Sequence, residues 1–194
     1  MMPAHQKSVT SANSIRTIAS VAKKEKKMKI VVTLDEYELA HAAMAGCQRR
    51  ISSIMKDRPQ FYGSDERKNF WQIDIVGMIA EYAVAKAFDR HWQPATNKRL
   101  ADLPGDVGIY QVRSTEHRDG HLFLHPKDKS ADYILCIVKQ NRVLLSGWIP
   151  LAAGIEIGEM KSPDTYWVKQ DQLYSFADWN DPIFWSDTVQ AKLN

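Results

Sequence analysis

GDVGIYQVRST, residues 105–115, sets an acid behind a glycine and then alternates large polar side chains with valine. On a strand, Gln111 and Arg113 share one face and Val112 points the other way, into a core. Asp106 follows Pro104-Gly105, a setting in which turn aspartates are routine. Two long polar side chains beside an acid have two readings. One is an exposed sheet edge. The other is a site in which Asp106 and a second carboxylate hold a divalent ion, with the Gln111 carbonyl as a further oxygen ligand and Arg113 facing a phosphate. The flanking sequence decides what kind of sheet carries the stretch.

Upstream, WQIDIVGMIAEYAVAKAF (71–88) is the strongest helix of the chain. Val76, Ile79, Ala80, Ala83, Val84, Ala87 and Phe88 form one apolar stripe. Glu81 falls at its margin, half-buried where helix meets sheet, as either a boundary ion pair or a site carboxylate. Gly77 costs about 1 kcal/mol of helix stability relative to alanine, which predicts another backbone close by. Earlier still, Lys29–Leu34 reads as a strand, Thr33 as a cap, and a helix runs from near Asp35 to about Met55. Leu39, Ala42, Ala43, Gly46, Cys47, Ile51 and Ile54 recur at helical spacing as its inward stripe. Arg49, Arg50 and Lys56 near its end suit either a helix C-terminus or a contact to phosphates. Residues 57–69 form a polar loop with Pro59 and Gly63.

Downstream, strand-like segments fall at 109–116, 121–125, 133–138, 143–149 and around 166–168. Asp119-Gly120 suggests a hairpin between the first two. Helices followed by strands argue for an α+β or α/β domain with one central mixed sheet flanked by helices. At 194 residues, the chain fits a single domain over 28–194. Residues 1–27 hold six of the 26 Lys and Arg and one of the 23 acids, so this tail is +5 and the rest is −2. The tail reads as disordered, either an arm that touches phosphate or an extension ahead of a start at Met28. A near-neutral body argues against a broad nucleic-acid face, though not against a local basic groove.

Other chemistries find little support. The longest apolar run, Tyr133–Val138, is far too short for a membrane span, and no secretory signal is visible. Cys47 and Cys136 read as buried free thiols of a cytoplasmic protein. His117, His121 and His125 are spaced by four but straddle the expected hairpin, which argues against zinc. Phosphate-loop and serine-hydrolase motifs are lacking. Tyr166, Trp167, Tyr174, Trp179 and Trp185 are expected to pack against the body and not to stack bases.

These segments together resemble the PD-(D/E)XK, or restriction-endonuclease-like, nuclease superfamily, and within it small phage and prophage proteins. The resemblance rests on residues 71–88 and 105–115, on HLFLHPKDKSADYILCIV (121–138), on GWIP (147–150) and on TYWVKQDQL (165–173). MKIVVTLDEYELAHAAMAGCQRRISS (28–53) fits the narrower group. The resemblance implies a restriction-endonuclease-like core, with Glu81, Asp106, Gln111 and Arg113 in the places of the helix acid, the aspartate, the glutamate and the lysine. It implies Mg²⁺ or Mn²⁺ bound by Glu81, Asp106 and Gln111, and hydrolysis of DNA in a host bacterial cytoplasm. Homodimerisation is a further expectation. So, in an inactive form, is binding to DNA or a host defence protein. Three departures stand out. Pro104 lies one position early, Gln111 replaces Glu, and Arg113 replaces Lys and so cannot act as a base. The Asp106–Gln111 spacing also leaves room only for a short turn.

Overall fold

The computed structural model describes residues 27–56, 69–96 and 105–178. Its elements are β1 (Ile30–Thr33), α1 (Glu36–Met55), α2 (Phe70–Ala87), β2 (Gln111–Thr115), β3 (Leu122–Leu124), β4 (Asp132–Lys139), β5 (Arg142–Pro150), α3 (Leu151–Ile157), β6 (Glu159–Ser162) and β7 (Thr165–Val168). The central sheet runs β1-β5-β4-β2. Its β2–β4 pair is parallel and the other two pairs are antiparallel, so it is the mixed sheet expected. A second, antiparallel sheet, β3-β7-β6, joins it.

β4 explains the arrangement. Its sequence DYILCIVK is buried from Tyr133 to Val138 without alternation, the pattern of a strand covered on both faces. Ile134, Cys136 and Val138 enter a core with Val112, Val143, Leu145 and the α2 residues Ile79, Ala80, Ala83, Val84 and Phe88. Tyr133, Leu135 and Ile137 point the other way, to Leu122, Leu124, Ile149 and Val168. One face of the central sheet is therefore roofed by helices and the other by the second sheet.

The expected hairpin at Asp119-Gly120 is not formed. A turn is present there, with the Gly120 amide donating to the His117 carbonyl at 3.0 Å. However, β2 pairs with β4 and β3 with β7. Parallel neighbours need a crossover, and here β3 supplies it by passing through the second sheet. α3 and β6 lacked a sequence signal. α3 is one short helix, and all four residues of β6 are exposed.

α1 is capped by Asp35, not by Thr33. The Asp35 carboxylate accepts the Glu38 amide at 2.9 Å and the Glu38 carboxylate accepts the Asp35 amide at 2.8 Å, a capping box. The buried residues of α1 are Ala42, Ala45 and Gly46, with Leu39 packed against the core. Ile51 and Ile54, expected inside, are 50% and 55% exposed. The close backbone contact expected at Gly77 occurs instead at Gly46. A Cβ there would lie 2.5 Å from the Ile75 Cα, so α1 seats on α2 through a residue without a side chain.

The body begins at least one residue before Met28. The Lys27 ammonium donates to the carbonyls of Asp171 (2.7 Å) and Leu173, and the Met28 amide donates to Ser175 Oγ at 2.9 Å. The rest of the basic tail, Pro104, Trp179 and Trp185 lie outside the described residues. Both cysteines are free, Cys136 buried and Cys47 only partly so. No helix among the described residues is long and apolar enough to cross a membrane.

Candidate active site

Asp106 opens a tight hairpin that leads directly into β2. Its amide donates to the Tyr110 carbonyl at 2.8 Å, and Val107 and Tyr110 exchange bonds of 3.1 and 3.0 Å. The two-residue loop Gly108-Ile109 has its positive φ, 61°, at Gly108, as a type II′ turn requires. Asp106 Oδ2 then accepts the Val112 amide at 2.9 Å. The short spacing between Asp106 and Gln111 is thus one closed turn that fixes the carboxylate at the head of an edge strand.

Glu81 is more deeply placed than its position on the helical wheel suggested, at 3% exposure. α1 covers it, and Arg49 of α1 reaches it with Nη2 2.6 Å from Oε1. The same Nη2 lies 3.3 Å from Met78 Sδ. Gly77 faces this guanidinium, and a Cβ there would sit at ordinary contact distance, 3.5 Å, from Arg49 Nη1. Two of the three basic residues near the end of α1 are paired within the chain. Arg49 pairs with Glu81, and Arg50 pairs with Asp74 at 2.5 Å beneath the Phe70 ring. Arg49 lies seven residues after Ala42 and three after Gly46, on the face that meets α2, and that spacing was its available signal.

Burial pushes the Glu81 carboxyl up to about 7. Arg49 opposes the shift by charge and hydrogen bond, and Asp106 adds to it by repulsion. Burial works against the Arg49 charge, but Glu81, Asp106 and Asp74 together hold it above its usual value. Glu81 and Asp106 therefore lie within electrostatic reach of each other and of one guanidinium. Glu81 Oε2 has no hydrogen-bond partner, and neither does Trp92 Nε1. That indole N–H favours the ionised Glu81, short of a formed hydrogen bond. Trp92 itself is held edge-on by Tyr82 and His41, with ring centroids at 4.9 and 5.3 Å.

On the other side of Asp106 lies Arg113. Its Nη2 is 3.5 Å from Asp128 Oδ2, and its guanidinium stands 5.0 Å from the Tyr133 ring centroid. The Asp128 carboxylate also accepts the His125 amide at 3.0 Å. The Tyr133 hydroxyl donates to the Lys129 carbonyl at 2.9 Å. It is pushed up to about 12 by burial, with Arg113 opposing and Asp128 and Asp106 adding. Gln111 is buried at the first position of β2 and engaged by its surroundings. It shares with Arg113 the face opposite the buried Val112, which is the face of Tyr133 and the second sheet and not that of α2 and Glu81. Asp128, Tyr133 and Trp92 had no motif to announce them.

Two carboxylates are hard donors of the kind Mg²⁺ or Mn²⁺ takes when most of its shell is water. The unpartnered Glu81 Oε2 is the atom that best fits such an ion. Among the described residues, no group of three or more His, Cys, Asp or Glu is placed to hold a metal ion. His121 packs on Trp167 with centroids 5.4 Å apart, and Trp167 on Phe123 at 4.9 Å. Tyr174 packs edge-on against Trp148.

Comparison of the chain with family models, with curated proteins and with solved structures gives no match.

Proposed function

We propose that the chain is a metal-dependent nuclease that hydrolyses DNA phosphodiester bonds, phage-encoded and acting in the bacterial cytoplasm, of the PD-(D/E)XK type its sequence resembles. The observation that carries this reading is the convergence of Glu81 from α2 and Asp106 from the β2 hairpin, with Glu81 Oε2 left without a partner. Glu81 and Asp106 would hold Mg²⁺ or Mn²⁺, with water completing most of the shell. The ion would supply an acidified water and charge stabilisation on the phosphate.

The chain's own residues divide the remaining work. Asp106 is held in place by the Val112 amide, which leaves Oδ1 as its outward donor. Arg49 opposes the effect of burial on Glu81, whose carboxyl still stands raised at about 7. Arg113 stays protonated throughout, so it stabilises negative charge on the phosphate and takes no proton. Its tether to Asp128 limits its freedom before substrate arrives.

The test is cleavage of supercoiled and linear DNA with Mg²⁺, Mn²⁺ or EDTA. Metal-dependent cutting should vanish in Glu81→Ala and Asp106→Ala proteins that remain folded. Cutting retained by Asp106→Ala protein would overturn the assignment.

One observation favours a second reading, a nuclease fold without catalysis that binds DNA or a host defence protein. The Arg49 guanidinium already neutralises Glu81 at 2.6 Å, and Gln111 brings no charge to offset it. Titration with Mn²⁺ separates the two: the enzyme requires an ion at Asp106 and the binding protein does not.

A further inference from the structure

Among the described residues, Glu81 Oε2 and Trp92 Nε1 are buried polar atoms without a hydrogen-bond partner. An ionised carboxylate only accepts and an indole only donates, so the two are complementary. Trp92 is brought to this place by the way α2 ends. Phe88 caps the helix and Asp89 takes a left-handed φ of 51°. The Asp89 amide donates to the Lys86 carbonyl at 3.4 Å and the Arg90 amide to the Ala85 carbonyl at 2.8 Å. This is the Schellman reversal that glycine usually makes. The chain turns back across the helix end, and Trp92 packs on the core between Tyr82 of α2 and His41 of α1. A phenylalanine ring would fill that aromatic seat without burying a donor. Buried indole N–H groups usually have a partner, so packing alone leaves this one unexplained.

We infer that Trp92 is a positioning residue for the proposed metal centre: with the ion bound, its indole N–H donates to Glu81 Oε2 and sets which way that oxygen faces the ion. The inference rests on the metal-dependent reading of the site. A carboxylate oxygen accepts from two directions, so Trp92 takes one and leaves the other to the ion. Ligating carboxylates are commonly oriented by such an outer donor. Metal binding requires Glu81 as the carboxylate, and that charge strengthens a hydrogen bond to it. The N–H already lies near enough to favour the ionised form. Arg49 holds Oε1 from α1, and Trp92 reaches the other oxygen from the segment after α2. The plane of the carboxylate is thereby held from both sides, while the edge-on contacts with Tyr82 and His41 fix the direction of the indole.

Mn²⁺ binding to the full chain, read by electron paramagnetic resonance of the free ion, compares wild type with Trp92→Phe. The variant keeps an aromatic ring in the seat and removes the donor. It should bind Mn²⁺ about tenfold or more weakly, with an unchanged far-ultraviolet circular dichroism spectrum. In wild-type protein, the assigned Trp92 indole proton should move downfield in the nuclear magnetic resonance spectrum on saturation with Mg²⁺ and exchange more slowly with solvent. A ring that serves only to pack would do neither. This second measurement uses wild-type protein and decides the matter even where the variant fails to fold. Equal Mn²⁺ affinity in wild type and folded Trp92→Phe protein would overturn the inference and leave the metal site standing, as would an indole proton indifferent to Mg²⁺. Wild-type protein that binds no Mn²⁺ would overturn the metal-dependent reading, and this inference with it.

Discussion

Glu81 is an acid whose burial outweighs its counter-ion, and the sign of the consequence is fixed. Its carboxyl is raised to about 7, so the folded chain holds a proton there that the unfolded chain has released. Its stabilising contribution is full below the ordinary glutamate value near 4.5 and is lost as pH rises through about 7. Urea unfolding across that window should show a decline on the order of 3 kcal/mol in the wild type that Glu81→Gln protein lacks. Arg49→Ala should act in the other direction at pH 8, costing about 3–5 kcal/mol because it strands a buried charge. Urea titration of that variant at pH 6 and 8 should show the larger loss at pH 8. The candidacy of Glu81 was legible from its place on the stripe. Its depth was not, because α1 buries it, and α2's own sequence carries no information about what lies on top. The Arg49 partnership was hidden for the same reason, since a basic residue near a helix end has a ready local explanation.

The two glycines of the helix pair make opposite predictions at the scale of elements. A Cβ on Gly46 would collide with the Ile75 backbone, which cannot yield as a side chain can. Gly46→Ala should therefore cost about 1–3 kcal/mol and loosen α1 from α2. Gly77→Ala meets only Arg49 Nη1 at ordinary contact distance and should gain up to about 1 kcal/mol from helix propensity. Denaturant midpoints of the two variants check both. Helix and strand segments were readable because each carries its own periodicity, and β4 announced its double burial by its unbroken apolar run. Pairing was less readable. Asp119-Gly120 has good turn chemistry, yet the strands it joins part company because β2 needs a parallel neighbour and β3 finds an edge in the other sheet. Local sequence encodes a turn without encoding which sheet receives the next strand.

At the scale of the molecule, β4 lies between the helix layer and the second sheet, and Cys136 on it faces the helices. Burial pushes this thiol far up, so it is neutral and enclosed. A thiol reagent at neutral pH should label Cys47 alone in native protein and both cysteines after unfolding. Native labelling of Cys136 at a comparable rate would mean that the sheet opens locally. The same architecture constrains how the chain reaches its fold. β1 is made early but pairs with β5, Ile30 opposite Leu145, more than a hundred residues later, and β2 cannot meet β4 until β3 has emerged between them. On the ribosome, the α1–α2 pair therefore waits with its sheet-facing surface uncovered until the β4–β5 hairpin arrives. That hairpin is the one adjacent strand pair of the central sheet, and loop closure makes it the cheapest nucleus. Folding should thus be slow for a domain of this size, with aggregation as a hazard while the helix surface stays uncovered.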